Sequence, residues 1–311
     1  MDAKELFMNG EFVPASHGMI SIRTHGFAYG TGCFEGIRGY WNESDQQVYL
    51  FRLREHFERL LCSCKILQIS LPYTVDQLID ICVELVQRNG QRQDVYLRPV
   101  AYKAAQTIGV RLHGLPDDFI ITSEPLGDYV ATTGMRCGVS SWRRIDDNAI
   151  PARAKICGAY VNSAFAKSEA MQNGFDEAIM LTHEGHVSEG SAENIFLVMH
   201  GELVTPAPTE NILLGITRDS VMELASRELG HITRERQIDR TELYVADEIF
   251  MCGTGAQVAP VISVDHRPVG NGQVGPITSA IKQLYSDATH GRLPGYHTQW
   301  CTPVYARERV S

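Results

Sequence analysis

The stretch from residue 150 to 256 constrains the fold most. One lysine, Lys155, stands in the uncharged run Ala154-Lys155-Ile156-Cys157-Gly158-Ala159, and three glycine-bearing turns follow it. Ser188-Glu189-Gly190-Ser191-Ala192-Glu193-Asn194 comes after a hairpin signal. Leu214-Gly215-Ile216-Thr217 opens a helical pattern, and Gly253-Thr254-Gly255-Ala256 closes a strand pattern. Glycine and small polar residues mark where a chain reverses. The second half is therefore read as a mixture of strands and helices whose polar chemistry gathers at element ends. There is no internal repeat.

The remaining elements follow from periodicity and punctuation. Phe7-Met8-Asn9-Gly10-Glu11-Phe12-Val13 predicts a hairpin about Asn-Gly. Tyr49-Leu50-Phe51 predicts a strand. Phe57, Leu60, Leu61 and Cys64 recur at helical spacing from Arg54 to about Ile66. A second helix is expected over Thr74 to Gln87, stopped by Asn89-Gly90. Val95 to Val100 and Asp118 to Thr122 read as strands, completing a first α+β domain. Turn formers from Glu124 to Gly134 read as a linker. Beyond it come a strand over Met135 to Trp142 and a helix from Tyr160 to Asn173. Strand pairs are expected around His183-Glu184-Gly185 and His200-Gly201. A helix over Arg218 to Leu229, a strand over Glu248 to Cys252 and a last helix over Pro276 to Ser286 follow. The tail after Thr289 is rich in turn formers and has no assigned place.

Composition narrows the function. The 311 residues suffice for two domains, and the formal net charge of −9 argues against nucleic acid or an anionic membrane as the main partner. No apolar run approaches the roughly 20 residues of a membrane span, and Met1-Asp2-Ala3-Lys4-Glu5 does not begin a signal peptide. The eight cysteines are scattered, so reduced thiols and a cytoplasmic location are expected. His183-x-x-His186 spans a hairpin turn and has no third ligand at suitable spacing, so no metal is expected. No Gly-x-Ser-x-Gly elbow is present.

Taken in order, Arg153-Ala154-Lys155, Ser188-Glu189-Gly190, Gly215-Ile216-Thr217 and Gly253-Thr254-Gly255 resemble the pyridoxal-phosphate enzymes of fold type IV. The similarity is greatest to the branched-chain amino acid aminotransferases, and it covers about residues 7 to 285. It implies a two-domain α+β fold. A smaller N-terminal α/β domain spans 1–125, a linker 126–134, and a larger C-terminal cofactor domain with a mixed, barrel-like core 135–311. It also implies transamination of leucine, isoleucine and valine with 2-oxoglutarate, by a ping-pong route through a Lys155 Schiff base.

Each part of the resemblance answers a chemical need. A lysine on its own is ordinarily a solvated surface charge; as a nucleophile it must lose its proton through burial or a neighbouring charge. The resemblance places Lys155 in that role, and afterwards as the proton carrier. An acid beside the ring nitrogen keeps it protonated, and Glu189 matches that acid, with Glu193 and Asn194 in support. Tyr160 matches a hydrogen-bond donor to the cofactor phenolate. Helix N-termini attract phosphate, and Leu213, Gly215, Ile216, Thr217, Gly253 and Thr254 match the cradle, with Arg54 as its fixed charge. Because Arg54 comes from the first domain, the resemblance puts the site between domains.

For substrate, the resemblance implies Tyr29, Phe34, Gly36, Tyr129, Gly255 and Ala256 as pocket residues. Arg38, Tyr96 and Arg98 match the set that orients the pocket and accepts the distal carboxylate of glutamate. Ile108-Gly109-Val110 matches a loop that reaches a neighbouring subunit, implying a homodimer or a multiple of one. The chain has Pro125-Leu126-Gly127 where bacterial members often carry Pro-Trp-Gly, and Cys157 where a small residue is usual. D-amino acid transaminases, R-selective amine transaminases and aminodeoxychorismate lyases share the fold and remain the alternative.

Overall fold

The computed structural model describes residues 4–127 and 134–305. These divide into two compact units. One comprises residues 4–127, 154–158 and 287–305; the other comprises 134–153 and 159–286.

The first unit is built on an antiparallel sheet. Its strand order is Cys301–Pro303, Gln47–Phe51, Ile37–Asn42, Val95–Lys103, Asp117–Pro125, Glu5–Met8, Glu11–Pro14, with Gly32–Phe34 also paired to Val95–Lys103. The Asn9-Gly10 hairpin forms as expected, both residues having positive φ. Strand Ile37–Asn42 was not foreseen. Its burial is nearly complete and includes Arg38, so it lacks the in-out alternation that reveals a strand. Helix Leu53–Ile66 buries Phe57, Leu60 and Cys64, and helix Val75–Arg88 buries Leu78, Cys82, Leu85 and Val86. The second helix starts where expected because Thr74 and Gln77 form a reciprocal capping box.

The expected block of 135–311 is not one unit. Helix Pro276–Thr289 is not the last; helix Pro294–Trp300 and strand Cys301–Pro303 follow it. That strand pairs antiparallel with Gln47–Phe51. Trp300 is buried, its ring 5.6 Å from Phe51 and 5.1 Å from the Arg52 guanidinium. The tail belongs to the first unit because an open sheet edge and a large aromatic contact hold it there.

The second unit has a mixed sheet. Its order is Val187–Gly190, Glu177–Leu181, Met135–Arg143, Gln257–Val264, Glu248–Gly253, Asn194–Met199, Glu202–Pro206, Thr233–Arg236, with Arg267–Pro268 on Gln257–Val264. Met135–Arg143 runs parallel to both of its neighbours. Ile179, Leu181, Val187, Ile195, Leu197, Ile249, Met251 and Val261 form the core. Helix Tyr160–Gln172 lays Ala166 and Ala170 on Ala178 and Met180. Helix Ile216–Leu229 follows Gly215 and so starts two residues before the expected Arg218, and it ends as expected at Gly230, in the left-handed conformation. Strand Gln257–Val264 was missed, since Pro260 lies inside it. All eight cysteines are free.

Candidate active site

Lys155 lies in a short segment clamped from three directions within the first unit. Its N–H donates to Ser63 Oγ at 3.2 Å, and its carbonyl accepts from Phe34 N at 3.0 Å. Ile156 bridges Cys33. Gly158 N donates to Gly30 O at 3.2 Å, and Gly30 is required there: its φ is +67°, and a Cβ would lie 2.8 Å from Gly158 Cα. The lysine is thus fixed at its backbone, and its half-buried side chain reaches toward an aromatic face.

That face is Phe34. Lys155 Nζ lies 5.0 Å from its ring centroid and the Arg98 guanidinium 4.4 Å from it. Arg98 donates to the Tyr96 hydroxyl at 2.7 Å. Gly36 makes this arrangement fit, because a Cβ there would sit 2.2 Å from the Tyr96 oxygen. Five of the expected residues therefore meet in one cluster: an amine, a guanidinium, two aromatic rings and a glycine gap. Such a set can bind a small carboxylate and bring an amine to it.

Three expected residues of the first unit have partners of their own. Arg54 is not the fixed charge of this region: its side chain is 54% exposed and paired with Asp76. The arginine on the Ser63 side of that helix is Arg59, whose carbonyl accepts from Ser63 Oγ at 3.0 Å. Arg38 stands opposite Tyr96 in the sheet. It is buried, and its guanidinium donates to the carbonyls of Leu126 and Gly127 at 3.2 and 2.9 Å. Tyr29 packs on His25 and accepts from Gly109 N at 3.2 Å, so it supports the loop of Ile108 and Val110 rather than the Phe34 cluster. Both loop residues are strongly exposed. Tyr129 lies outside the described residues.

Beside the lysine segment is a group the sequence did not announce. Glu35 is fully buried and receives Arg59 Nε at 2.7 Å, Arg59 Nη2 at 2.8 Å and His56 Nδ1 at 2.8 Å. Burial alone would raise the Glu35 pKa, but the charge and hydrogen bonds of Arg59, with those of His56, hold it well below the carboxylate range. Burial lowers the His56 pKa, and the charges of Arg59 and Lys155 oppose its protonation further. His56 is then neutral near pH 7 and donates Nδ1–H to Glu35. The available signal was spacing, for His56, Arg59 and Ser63 share one flank of their helix.

In the second unit the expected acid is at the centre of a network. Glu189 is buried; Arg144 reaches its Oε1 at 2.7 Å, while Asn194 Nδ2 and Leu213 N donate to Oε2 at 2.9 and 3.1 Å. Asn194 Nδ2 also donates to Leu213 O at 2.9 Å. Three predicted residues are brought together, and Arg144 is an unforeseen fourth. Asn162 orients the arginine's segment, accepting from Ile145 N and donating to Arg143 O. Tyr160 begins that same helix.

The adjoining helix start is equally tight. A Cβ on Gly215 would lie 2.0 Å from Asn194 Oδ1, so only glycine fits. Thr217 is buried in the first turn, its Oγ1 3.4 Å from the Tyr285 hydroxyl. First-turn amides have no carbonyl four residues back and, with the helix dipole, favour an anion. Gly253 packs against Ala192 and Glu193, and Thr254 to Ala256 form the turn between two antiparallel strands. The Glu193 carboxyl turns under Gly190 and accepts from Ala192 N at 3.0 Å, although the residue as a whole is partly exposed. Burial of the carboxyl and the charges of Glu177 and Glu189 push its pKa up to about 7.

Among the described residues no group of three or more His, Cys, Asp or Glu is arranged to hold a metal. No helix among them is long and apolar enough to cross a membrane.

The family model for amino-transferase class IV matches residues 32–264. A probable branched-chain-amino-acid aminotransferase of Aquifex aeolicus is 46% identical over 300 residues, covering 96% of each chain. The crystal structure of a branched-chain aminotransferase from Thermoproteus uzoniensis with norvaline superposes with a TM-score of 0.93 at 42% identity, covering 98% of this chain and 100% of that one. The branched-chain amino acid aminotransferase from Thermobaculum terrenum in its PLP-form gives 0.92 at 37% identity, covering 98% and 99%.

Proposed function

We infer the reaction from kinship: this chain belongs to the class IV aminotransferases. It is a pyridoxal-phosphate-dependent branched-chain-amino-acid aminotransferase. It moves the amino group of leucine, isoleucine and valine to 2-oxoglutarate in two half-reactions. The observation that carries this reading is the pairing of Lys155 and Arg98 on one Phe34 ring.

The residues suit the cofactor by their donor chemistry: a primary amine, a buried carboxylate backed by an arginine, and a helix start with a hydroxyl in its first turn. When bound, pyridoxal phosphate supplies an aldehyde for amines and an electron-withdrawing ring. Lys155 would be the amine that holds the cofactor aldehyde, and its freed amine would carry the proton at the substrate α-carbon. Glu189 holds the ring-nitrogen proton by charge pairing. Arg144, Asn194 and Leu213 N keep it from turning away. Thr217, Thr254 and the amides of Ile216 and Thr217 take the phosphate, and Arg59 provides the charge expected of Arg54. Tyr160 hydrogen-bonds the phenolate, and Glu193 supports Glu189. Arg98, with Tyr96 on Phe34, takes a substrate carboxylate.

We further propose a homodimer in which the exposed Ile108-Gly109-Val110 loop is covered by a second copy, and a cytoplasmic setting in keeping with the free thiols. Met19, Ile22 and Phe27 are strongly exposed too, on the segment tied to this loop through His25 Nε2 and Gly109 O at 2.7 Å.

The test is the absorbance spectrum of cofactor-loaded protein before and after L-leucine, with D-alanine in parallel. Conversion to the pyridoxamine band with L-leucine alone is expected; conversion with D-alanine alone would overturn the branched-chain reading. Lys155→Ala should lose on the order of 10³-fold or more in turnover, and full turnover in that variant would remove the lysine from its role.

A further inference from the structure

We propose that His25 is a positioning residue for subunit association: it pins the Ile108-Gly109-Val110 loop in the shape that a second copy of this chain meets. The inference rests on the homodimer reading above and adds what holds the covered loop in place.

His25 is fully buried in a stretch that is mostly open, with Met19, Ile20, Ile22 and Phe27 exposed along it. Both ring nitrogens are engaged: Nε2 lies 2.7 Å from Gly109 O and Nδ1 lies 2.6 Å from Thr31 Oγ1. A carbonyl has no proton to give, so Nε2 carries the hydrogen and donates it to Gly109. Thr31 satisfies Nδ1 in either protonation state, because a hydroxyl can both donate and accept. Gly109 N in turn donates to the Tyr29 hydroxyl at 3.2 Å. Both backbone polar groups of Gly109 are thus held by two side chains of the short helix His25–Tyr29, whose rings pack with centroids 4.7 Å apart. A backbone bond from His25 N to Ala105 O, at 2.8 Å, fixes the base of the loop on the same segment.

The loop has little else to keep its shape. Gly109 has a φ of +119°, and no atom beyond its chain neighbours lies within 4 Å of where a Cβ would stand. Ile108 and Val110 on either side are strongly exposed. The clamp therefore supplies the restraint that packing does not, and it ties these two residues to the exposed apolar stretch from Met19 to Phe27. Exposed apolar surface of this kind marks an association site, and a two-fold dimer uses the same patch on both copies. A loop already held in its bound shape loses less freedom on association, and each dimer contains the clamp twice.

The experiment measures subunit exchange in the cofactor-loaded enzyme. Two populations carrying different fluorophores are mixed and energy transfer is followed for wild type, His25→Phe, His25→Gln and Gly109→Ala, while sedimentation gives the oligomeric state of each. Phenylalanine keeps a ring against Tyr29 and removes both nitrogens; glutamine retains an N–H donor for Gly109 O. Exchange in His25→Phe is expected to be about five- to a hundredfold faster, as one hydrogen bond in each of two loops predicts. His25→Gln should recover most of that loss. Gly109→Ala, which strains the loop without touching the histidine, should speed exchange as well. A wild-type rate in His25→Phe, or equal acceleration by phenylalanine and glutamine, would overturn the proposal while sparing the dimer. Wild-type protein that sediments as a monomer would overturn the dimer reading and the proposal with it. Should His25→Phe fail to fold, Gly109→Ala decides, and unchanged exchange in that variant would overturn the proposal.

Discussion

Glu35 in the first unit and Glu193 in the second both have their carboxyl groups packed inside protein, and they end in opposite states. Glu35 is gripped by Arg59 and His56 and stays charged far into acid. Glu193 has Glu177 and Glu189 as neighbours, and its pKa rises to about 7. Burial raises both; what differs is the sign of the charge next door. The two regions differ in build accordingly. Around Lys155 the cations Arg59 and Arg98 dominate, as befits binding of phosphate and carboxylate. Around Glu189 several carboxylates gather, and Arg144 is paired to the acid itself.

Removing the cation that separates the two cases should have the largest effect. Arg59→Leu leaves Glu35 buried with His56 alone, and breaking such a pair costs about 3–5 kcal/mol. Denaturant unfolding at pH 7 measures it, and a loss below about 1 kcal/mol would mean that Glu35 does not depend on Arg59.

Next comes the pH dependence of Glu193. Its folded pKa is raised from the ordinary 4.5 to about 7, so the folded protein binds this proton more tightly than the unfolded chain does. Its contribution is therefore favourable at low pH and is lost as pH rises from 4.5 to 7. Glu193→Gln should flatten that slope and raise stability at pH 8 by about 2 kcal/mol, discounted for the partial exposure of the residue. Urea midpoints at pH 5 and pH 8 decide the matter; parallel slopes in both proteins would sink it. Glu35 has the opposite sign: its pKa is lowered, so its contribution holds above 4.5 and fades below.

Smaller again is Gly36→Ala. The added methyl displaces Tyr96 from Arg98, costing about 1 kcal/mol of stability, and KM for the amino acid should rise more than kcat falls. Equal changes in both would argue against a substrate-positioning role for Tyr96. Smallest is Arg54→Ala, for which unchanged cofactor affinity is expected, because the side chain is exposed and bonded to Asp76. A large loss there would reverse the choice of Arg59.

The two arginines show what could be read from sequence and what could not. They lie five positions apart on one helix, hence roughly 140° apart around its axis. Helical spacing showed which face was apolar, and it places His56, Arg59 and Ser63 on one flank. It did not show which flank meets the lysine segment, since that depends on residues some 90 positions away. The partners of Arg38 were out of reach of the sequence for a similar reason. The arginine stands directly opposite Tyr96 in the sheet, yet the carbonyls of Leu126 and Gly127 draw its guanidinium away.

By itself the sequence determined what depends on neighbours within a few residues. This covers the Asn9-Gly10 hairpin, the Thr74–Gln77 cap, the glycine ends of the helices and the order of lysine, acid and phosphate turns. Turn, cap and periodicity signals are short-range energies written in adjacent side chains. Tertiary structure alone decided that the tail returns to the edge of the first sheet, that Arg144 balances Glu189, and that Glu35 is charged while Glu193 takes up a proton near neutrality. Those outcomes follow from burial and from Coulomb interactions between groups far apart in the chain, and their magnitude is set only when folding excludes water from between them.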